Sequence, residues 1–512
     1  MKFFFRLYVL LFLFSGCSTA RNSIVKKDDG VIDINFVQVN DVYEIAPLSG
    51  GTEGGVARIA SIKQQYLKQN SNSFLVIAGD FLSPSVYNSL QFEGKAIRGR
   101  QMIDALNAAG TDFACFGNHE FDIREQELLD RIDESKFRWV ASNSFHKIND
   151  SIRPFRRKNG EEIPRTIIMN VEDADGTRAR IGFIGICLPF NRAEYVYYVD
   201  ALVAAKASYS QLKDSVDAVV AITHQNMWED EMLAKEIPGL ALIMGGHEHD
   251  QRIKKVGRIY ITKAMANAKS AYIVKLRIHK KRKKTKKIEV SPSIEILDSR
   301  VPLDSATNVV VKKWSHIAET NYASLGFTAN RVVKQSGEPL DGRELVIRSQ
   351  PTNLGRLITN SMMVAAPLSD VAILNSGSIR VDDVLHTPIT EYDIIRTLPF
   401  GGAIREVEMT GALLVKVLEQ GKKNVGNGGF LIYNESLKLN LSGTWMLKDE
   451  PIDPERIYHV AFSEFLLTGK EANLEYLHPK NPGIKKLFEL PSAKTNPLND
   501  IRLAVIQYLL NQ

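Results

Sequence analysis

Five short polar segments carry the residue types that bind metal ions and phosphate. Together they offer carboxylate, imidazole and amide oxygen ligands and no thiolate. The segments are NDVYE at Asn40–Glu44, GDFLSPS at Gly79–Ser85, GNHEFD at Gly117–Asp122, THQN at Thr223–Asn226 and GGHEHD at Gly245–Asp250. Such ligands suit Zn, Mn, Fe or Co, and a shared carboxylate holds two such ions about 3.5 Å apart. The set therefore predicts a binuclear metal site.

Each of these polar residues has a simpler explanation when it is taken alone. A histidine at the end of a strand is usually satisfied by ordinary hydrogen bonds, and an aspartate there is usually a turn or cap residue. Five polar clusters in a fixed order on successive strand ends rarely arise by chance. The joint pattern therefore favours the metal site over the purely structural explanation.

Apolar runs typical of strands precede most of these segments and alternate with helical patterns. This rhythm predicts an α/β layer fold. In such folds, sites form where loops leave the carboxyl ends of the strands, so we expect the polar segments to meet at one edge. The predicted strands are Ile32–Val39, Phe74–Ile77, Phe113–Phe116, Ile181–Ile186, Ala218–Ile222 and Ala241–Met244.

At these motifs, GNHEFD above all, the chain resembles the calcineurin-like metallophosphoesterases, and more closely their 5'-nucleotidase branch. The resemblance covers essentially the whole mature length. It implies a four-layer αββα metallophosphatase domain followed by a smaller α/β 5'-nucleotidase C-terminal domain. It also implies two divalent metal ions, of unknown identity, and nucleotide substrates.

The resemblance assigns a role to each motif residue. Asp80 matches the ligand that bridges both ions, and His119 matches the residue that protonates the leaving oxygen, oriented by Asp122. A metal-activated hydroxide attacks phosphorus in line, and the imidazolium neutralises the developing alkoxide. The remaining matched ligands are Asp41 and His249 for the first ion, and Asn118, His224 and His247 for the second.

Tyr43 departs from the family pattern, because the first motif is usually Asp-x-His and this chain has Asp41, Val42 and Tyr43. Two consequences are open. Tyr43 leaves the first ion with one ligand fewer, which is the interpretation we favour, or its phenolate coordinates a harder ion. Some members of the wider branch share the Asp-x-Tyr version, so the change does not indicate loss of activity.

Two motifs of the C-terminal section match residues that hold the substrate, including its phosphate. In IRSQPTNLGRLI, at Ile347–Ile358, Arg348 matches a phosphate-contacting arginine. In NSGSIR, the matching residues are Asn375, Gly377 and Arg380. Arginine forks onto phosphate oxygens, although a solvated surface ion pair is the competing explanation for Arg348 alone.

Phe430 and Phe465 match the two aromatic side chains that sandwich the base. Stacking accepts any nucleobase, although two phenylalanines in apolar surroundings are more often core residues. Lys470 and Glu471 stand where the family commonly has a Gly-Gly-Asp-Gly run. The added cation and the longer carboxylate would favour a more anionic substrate.

The chain divides into a catalytic domain at 31–303, a helical connector at 304–330 and a substrate-binding domain at 331–512. The connector is predicted by a helical stretch at Ser305–Ala323. The last section has its own strand, Val371–Leu374, and its own helical patterns. These patterns cover Leu354–Ala366, Thr410–Leu418 and Asp500–Leu510.

The N-terminus is predicted to be an export signal. Residues Phe3–Phe14 form an apolar stretch of about a dozen residues, too short for the roughly 20 that span a bilayer. Ser15 and Gly16 before Cys17 resemble a bacterial lipobox, which places a lipoprotein signal at 1–17, lipidation on Cys17 and a polar spacer at 18–30. A plain secretory signal is the alternative. Either interpretation predicts an extracytoplasmic protein, and the lipid anchor predicts attachment to a membrane.

Composition and charge add little to the function. The 512 residues carry a net charge of +6, but much of the excess lies in the run at 280–287 between two alternating stretches. We interpret this run as a solvated hairpin tip, with a polyanion or anionic membrane site as the alternative. No nucleic-acid partner and no obligate protein partner are expected. Cys115 and Cys187 are expected to be buried free thiols.

The sequence therefore predicts an exported phosphoesterase that cleaves nucleoside 5'-monophosphates to nucleoside and phosphate. The alternative of the same class is a cyclic-nucleotide phosphodiesterase or UDP-sugar pyrophosphatase with the same metal site. The alternative of another class is a non-catalytic surface lipoprotein that binds a nucleotide.

Overall fold

The computed structural model describes residues 28–190, 193–280 and 287–512. The predicted signal peptide with Cys17, most of the spacer and the tip of the basic run lie outside the described residues. The described chain forms an N-terminal domain built on two six-stranded sheets and a smaller C-terminal domain built on a five-stranded sheet. No helix among the described residues has the length and apolarity needed to cross a membrane.

The first sheet of the N-terminal domain contains four parallel strands at its centre and one edge. Its order is β12-β11-β1-β2-β3-β4. Strands β1, β2, β3 and β4 are parallel. Strands β11 and β12 form an antiparallel hairpin, and β11 pairs antiparallel with β1. The strands are β1 Val31–Val39, β2 Ser73–Ala78, β3 Phe113–Cys115, β4 Arg138–Val140, β11 Ser270–His279 and β12 Lys287–Ile296.

The second sheet of this domain has the order β9-β10-β8-β7-β6-β5. Its central strands β6, β7, β8 and β10 run parallel. The strands are β5 Thr166–Glu172, β6 Arg178–Cys187, β7 Ala218–His224, β8 Leu242–Gly246, β9 Arg252–Val256 and β10 Ile259–Lys263. The six strands predicted from the sequence are therefore present, within three residues at each end.

The two sheets pack face to face around one apolar layer. Phe36 of the first sheet meets Phe183 of the second edge-on, with ring centroids 5.9 Å apart, and both side chains are fully buried. Cys115 and Cys187 are buried free thiols, as predicted. Helices cover the outer faces and complete the αββα layers; they are α1 Val56–Gln69, α2 Arg100–Ala109, α3 Glu125–Glu134, α4 Ala201–Leu212 and α5 Met227–Glu236.

Helix α6, Ser305–Ser324, confirms the predicted helical stretch after the hairpin. Asp304 caps its first turn by accepting the backbone N–H of Thr307 at 2.8 Å. The helix packs on α1 and α2, and its indole at Trp314 is fully buried and donates to Asp104. The connector therefore belongs to the body of the N-terminal domain along most of its length.

The C-terminal domain has a mixed sheet of order β15-β13-β16-β14-β17. The strands are β13 Val371–Asn375, β14 Ile404–Thr410, β15 Leu431–Tyr433, β16 Ile457–Ser463 and β17 Ile484–Leu487. Its helices are Glu344–Ile347, α7 Asn353–Ala365, α8 Glu391–Thr397, α9 Gly411–Lys423 and α10 Ile501–Leu510. The three predicted C-terminal helices and the predicted strand are present.

Short strands complete the two domains. They are Gln91–Phe92 with Lys95–Ala96; Ser144–Ile148 with Ser151–Arg153 and Val196–Tyr198; Val332–Lys334 with Ile389–Thr390; Leu340–Asp341 with Val384–Leu385; and Leu437–Leu439 with Trp445–Leu447 and Glu450–Pro451.

Candidate metal centre and interdomain cleft

The carboxyl ends of β1, β2 and β7 bring Asp41, Asp80 and His224 together. Their ligand atoms all lie within 4.8 Å of one another, and all three residues are buried. Nε2 of His224 is 2.9 Å from Oδ2 of Asp80 and 3.8 Å from Oδ1 of Asp41. Parallel strands of two facing sheets end at one edge, which is why residues separated by up to 183 positions meet here.

Oδ1 of Asn118, a buried atom beside this cluster, has no hydrogen-bond partner among the described residues. Nε2 of His224 is also buried, and the Asp80 carboxylate lies 2.9 Å from it. Nδ1 of His224 contacts the carbonyl oxygen of Ala78 at 2.8 Å, so the opposite ring nitrogen, Nε2, points toward the carboxylates of Asp41 and Asp80. Buried polar atoms are rarely left unpaired, and a bound cation would be held by the Asn118 oxygen together with the two carboxylates and Nε2 of His224. The residues present therefore fit a divalent metal ion.

The charges of the cluster act strongly on its imidazoles. Burial opposes a charged ring at His224, but Asp80 and Asp41 outweigh it and raise the pKa of His224 to about 9. The opposite holds for His247, where burial, followed by the neighbouring His224, lowers the pKa to about 4. Burial also disfavours a charged Asp41, yet His224 and His249 hold the pKa of this carboxyl well below its usual range. The cluster is thus an anionic pocket that attracts cations.

Tyr43 lies among the residues assigned to the first ion. Its hydroxyl is 3.1 Å from Oδ1 of Asp41 and 2.9 Å from Nε2 of His249. Burial, followed by the charges of Asp41 and Asp80, raises the pKa of Tyr43 well above its usual value. These surroundings favour the neutral phenol over the phenolate.

His119 lies beside the cluster with Asp122 behind it. Nδ1 of His119 is 2.6 Å from Oδ2 of Asp122, and the backbone N–H of His119 donates to Oδ1 of Asp80 at 2.8 Å. Burial opposes protonation, but the carboxylates of Asp80 and Asp122 outweigh it and raise the pKa of His119. The imidazole is therefore held as a proton donor at the edge of the metal-binding pocket.

Three of the metal-binding candidates have strained backbones. Asp41, Asp80 and His247 have φ angles of 54°, 53° and 89°, in the left-handed region that non-glycine residues rarely adopt. Each such residue costs of order 1–3 kcal/mol, and such strain persists mainly at functional sites. The surrounding structure therefore holds these three residues in a backbone conformation that is locally unfavourable.

Glu120 fixes two of the loops, a role that the sequence did not reveal. Its buried carboxylate accepts backbone N–H groups at distances between 2.6 and 3.0 Å, from Gly117, Asp80, Phe81 and Leu82. Burial raises the pKa of Glu120 to about 7. Its position inside GNHEFD was the only available signal, because backbone donors leave no trace in a residue pattern.

A cleft of about 530 Å³ joins the metal-binding pocket to the C-terminal domain. Asp80, Asn118 and His119 line one side, and Arg348 and Arg380 line the other. Arg348 pairs with Glu344 of its own domain at 2.6 Å. The structure therefore brings two predicted phosphate-binding arginines to the predicted metal ligands.

The other predicted substrate residues do not line this cleft. Asn375 is buried, and its amide donates to Oε2 of Glu471 at 2.7 Å. Glu471 belongs to the segment that stands where the family commonly has a Gly-Gly-Asp-Gly run. Gly377 packs against Gly428, so closely that a Cβ there would lie 3.1 Å from the Gly428 Cα. Phe430 is partly buried and Phe465 is 44% exposed.

Two protein-family models match this chain, one in the N-terminal domain and one in the C-terminal domain. The family model for the calcineurin-like phosphoesterase matches residues 34–251, and that for the 5'-nucleotidase, C-terminal domain matches residues 331–476. The fold and the site thus define a metallophosphoesterase, an enzyme that hydrolyses phosphoric esters and depends on divalent metals. More narrowly, the chain belongs to the 5'-nucleotidase family.

Curated relatives and solved structures are consistent with this assignment. The 5'-nucleotidase of Bos taurus is 24% identical over 81% of this chain and 78% of its own length. The trifunctional nucleotide phosphoesterase protein YfkN of Bacillus subtilis is 24% identical over 78% of this chain, which spans 28% of that relative. The crystal structure of a 5'-nucleotidase precursor from Thermus thermophilus shares the fold, with a TM-score of 0.63, 21% identity and coverage of 94% of this chain and 96% of that one.

Proposed function

We propose that this protein cleaves nucleoside 5'-monophosphates to nucleoside and inorganic phosphate. The observation that carries this proposal is the cleft that joins the predicted metal ligands to Arg348 and Arg380. A phosphate ester in this cleft would reach His119 while the arginines hold its remaining oxygens. Family membership and the names of the curated relatives support nucleotides as the substrate class.

We further propose that the pocket holds two divalent ions. Asp41, His249 and the shared Asp80 would bind the first ion, and Asp80, Asn118, His224 and His247 the second. When bound, such ions supply the nucleophile by acidifying a water molecule and neutralise charge on the phosphate. Tyr43 enters this proposal as a neutral hydroxyl near the first ion, consistent with its raised pKa.

His119 is proposed as the general acid. Its imidazole lies 2.6 Å from the Asp122 carboxylate, which orients the ring and stabilises the protonated form. Proton transfer to the leaving oxygen of the nucleoside would avoid the formation of a free alkoxide. Asp122 therefore acts through His119 rather than on the substrate itself.

Base recognition is proposed to involve Phe430 and Phe465, with Asn375 and Gly377 shaping the loops around them. These residues lie outside the cleft that contains the metal-binding pocket. A substrate held by all of them would need the domains to move relative to their present arrangement. The proposed domain limits are 31–303, 304–330 and 331–512.

Phosphate release from a substrate panel tests the activity. The purified protein is stripped of metal and separately refilled with Zn, Mn, Co or Fe, and then given nucleoside monophosphates, a cyclic nucleotide and a UDP-sugar. We expect metal-dependent release that is fastest with a 5'-monophosphate. Faster release from the cyclic nucleotide or the UDP-sugar would move the assignment to that ester, and the name of the Bacillus subtilis relative justifies including several esters.

The competing proposal is a surface lipoprotein that binds nucleotides without cleaving them. Nucleotide binding without turnover under any of the four metals would establish this alternative. The pair of His119 and Asp122 and the unpaired amide oxygen of Asn118 argue against it, because a binding module has no need of either.

Export and lipidation of Cys17 are proposed from the sequence alone. Mass spectrometry of the mature N-terminus would show a diacylglyceryl-modified Cys17, and the Cys17→Ser variant would be released from the membrane fraction. An unmodified N-terminus downstream of Cys17 would instead establish a plain secretory signal.

A further inference from the structure

Asp382 of the C-terminal domain contacts a proposed metal ligand of the N-terminal domain. Oδ2 of Asp382 lies 2.8 Å from Nδ1 of His249, and Oδ1 of Asp382 accepts the backbone N–H of Glu344 at 2.5 Å. The side chain of Asp382 is 31% exposed and that of His249 is 21% exposed, and both line the cleft. Neither the metal-binding motifs nor the substrate motifs of the sequence include Asp382.

This contact determines which nitrogen of His249 faces the metal-binding pocket. Nε2 of His249 lies 3.5 Å from Oδ1 of Asp41 and 2.9 Å from the hydroxyl of Tyr43. A carboxylate that accepts the Nδ1 proton fixes the tautomer with the lone pair on Nε2. Within the described chain, the partners of Nδ1 are the carboxylate and the carbonyl oxygen of Asp382, at 2.8 and 3.2 Å.

We propose that Asp382 is a positioning residue that completes the first metal site from the other domain. This inference rests on the proposed role of His249 as a ligand. The affinity of the first ion then depends on the contact between the domains, and a bound ion in turn favours the arrangement in which that contact is made. Reciprocity of this kind follows from linkage between two equilibria.

Neighbouring contacts hold Asp382 in place. The next residue, Asp383, forms a salt bridge with Lys269 of the N-terminal domain at 2.7 Å. Tyr392 of α8 donates its hydroxyl proton to the buried carboxylate of Glu44 in the N-terminal domain. The loop that carries Asp382 is therefore fixed to the N-terminal domain at the next residue and through the helix that follows.

The test compares Asp382→Asn with Asp383→Asn in the full-length mature chain. Asp382→Asn removes the carboxylate partner of His249, whereas Asp383→Asn weakens an interdomain salt bridge without touching His249. Bound Mn²⁺ is measured by equilibrium dialysis and elemental analysis across a range of free Mn²⁺ concentrations, without substrate. Melting temperature is measured for both variants to confirm folding.

We expect Asp382→Asn to weaken binding of one Mn²⁺ by about 10- to 100-fold while the second ion binds as in the unaltered protein. Asp383→Asn should bind both ions with little change, and Asp382→Glu should recover part of the loss. Unchanged binding in Asp382→Asn would overturn the inference. An equal loss in both variants would also overturn it, because the domain contact rather than the carboxylate would then be responsible.

The metal-binding measurement separates this inference from the proposed activity. If the protein binds two ions and Asp382→Asn loses one, the inference stands whether or not nucleotides are cleaved. If nucleotides are cleaved and Asp382→Asn binds both ions normally, the inference fails and the proposed function remains.

Discussion

His119 and Glu120 are adjacent in the sequence but lie in different surroundings. The imidazole of His119 faces the cleft and contacts Asp122 at 2.6 Å. The carboxylate of Glu120 turns away from it and accepts backbone N–H groups of the loops that carry Asp80 and Gly117. At the scale of residues, the site therefore combines a group that is proposed to react with a group that holds the surrounding loops.

Replacing His119 with alanine should lower kcat without emptying the metal site. His119 is the proposed proton donor, and loss of a general acid typically costs about 10²- to 10⁴-fold in rate. The measurement is phosphate release, together with the metal content of the purified variant. His316→Ala, at an exposed position of α6, is the control and should leave kcat unchanged.

A matched loss of metal and activity in His119→Ala would contradict this role and make His119 a ligand. Asp122→Asn should give a smaller loss, because the imidazole remains and only its orientation and charge are affected. If Asp122→Asn were as inactive as His119→Ala, Asp122 would be acting on the substrate itself.

The strand ends and their glycines form the element that shapes the pocket. The loop after β3 passes directly beside the loop after β2. A Cβ added to Gly117 would lie 2.1 Å from Oδ1 of Asp80, and one added to Gly79 would lie 2.6 Å from the Gly117 nitrogen. The close approach of these two loops therefore requires glycine on both.

Gly117→Ala should weaken metal binding and destabilise the fold, because overpacking at a site of fixed backbone costs about 1–3 kcal/mol or more. Thermal unfolding and metal content are the measurements. Gly160→Ala is the control: its φ is +89°, but nothing lies within 4 Å of its added Cβ. It should lose about 1 kcal/mol from backbone strain and retain its metal.

Equal melting temperatures and equal metal content in the two variants would show that the loop after β3 can shift away from Asp80. In that case the close approach of the two loops would not require glycine at 117.

At the scale of the whole molecule, the interface between the domains contains buried polar contacts as well as apolar packing. Tyr392 donates to Glu44, and its ring lies 6.1 Å from that of Tyr322, which belongs to α6. Tyr322 is buried and Tyr392 is partly buried, but the hydroxyl of Tyr322 has no hydrogen-bond partner among the described residues. The interface thus offers a matched pair of hydroxyl groups, one satisfied and one not.

Tyr392→Phe should destabilise the protein, and Tyr322→Phe should not. The first variant leaves the buried Glu44 without its donor, at a cost of about 1–3 kcal/mol, whereas the second removes an unsatisfied group. Denaturant unfolding of the two variants measures the difference. Equal effects would show that the Tyr392 hydroxyl contributes nothing to the contact between the domains.

Glu44 should also make stability depend on pH. Burial raises the pKa of Glu44 to about 7 from 4.5, so the folded protein holds a proton that the unfolded chain releases. Stability from this group is therefore complete below about pH 4.5 and is lost as the pH rises toward 7, at roughly 1.4 kcal/mol per pH unit. Glu44→Gln should flatten the unfolding free energy across this window, and an unchanged pH profile would contradict the assignment.

Much of the site follows from local sequence. Apolar runs identify the strands, and the chain direction of parallel strands places Asp41, Asp80 and His224 at one edge without knowledge of any contact. The helical pattern of α6 was likewise visible in its own residues. Such features are local in sequence or follow from general rules of sheet topology.

Contacts between distant segments were decided only by the tertiary structure. His249 and Asp382 lie 133 residues apart, and Tyr392 and Glu44 lie 348 apart. Neither pair leaves a periodic signal, because their meeting depends on how the two domains pack against each other. The same reason explains Glu120, whose partners are backbone groups. The sequence determined the candidate ligands and the fold that gathers them, because both follow from local patterns, while docking of the domains decided that Asp382 contacts His249.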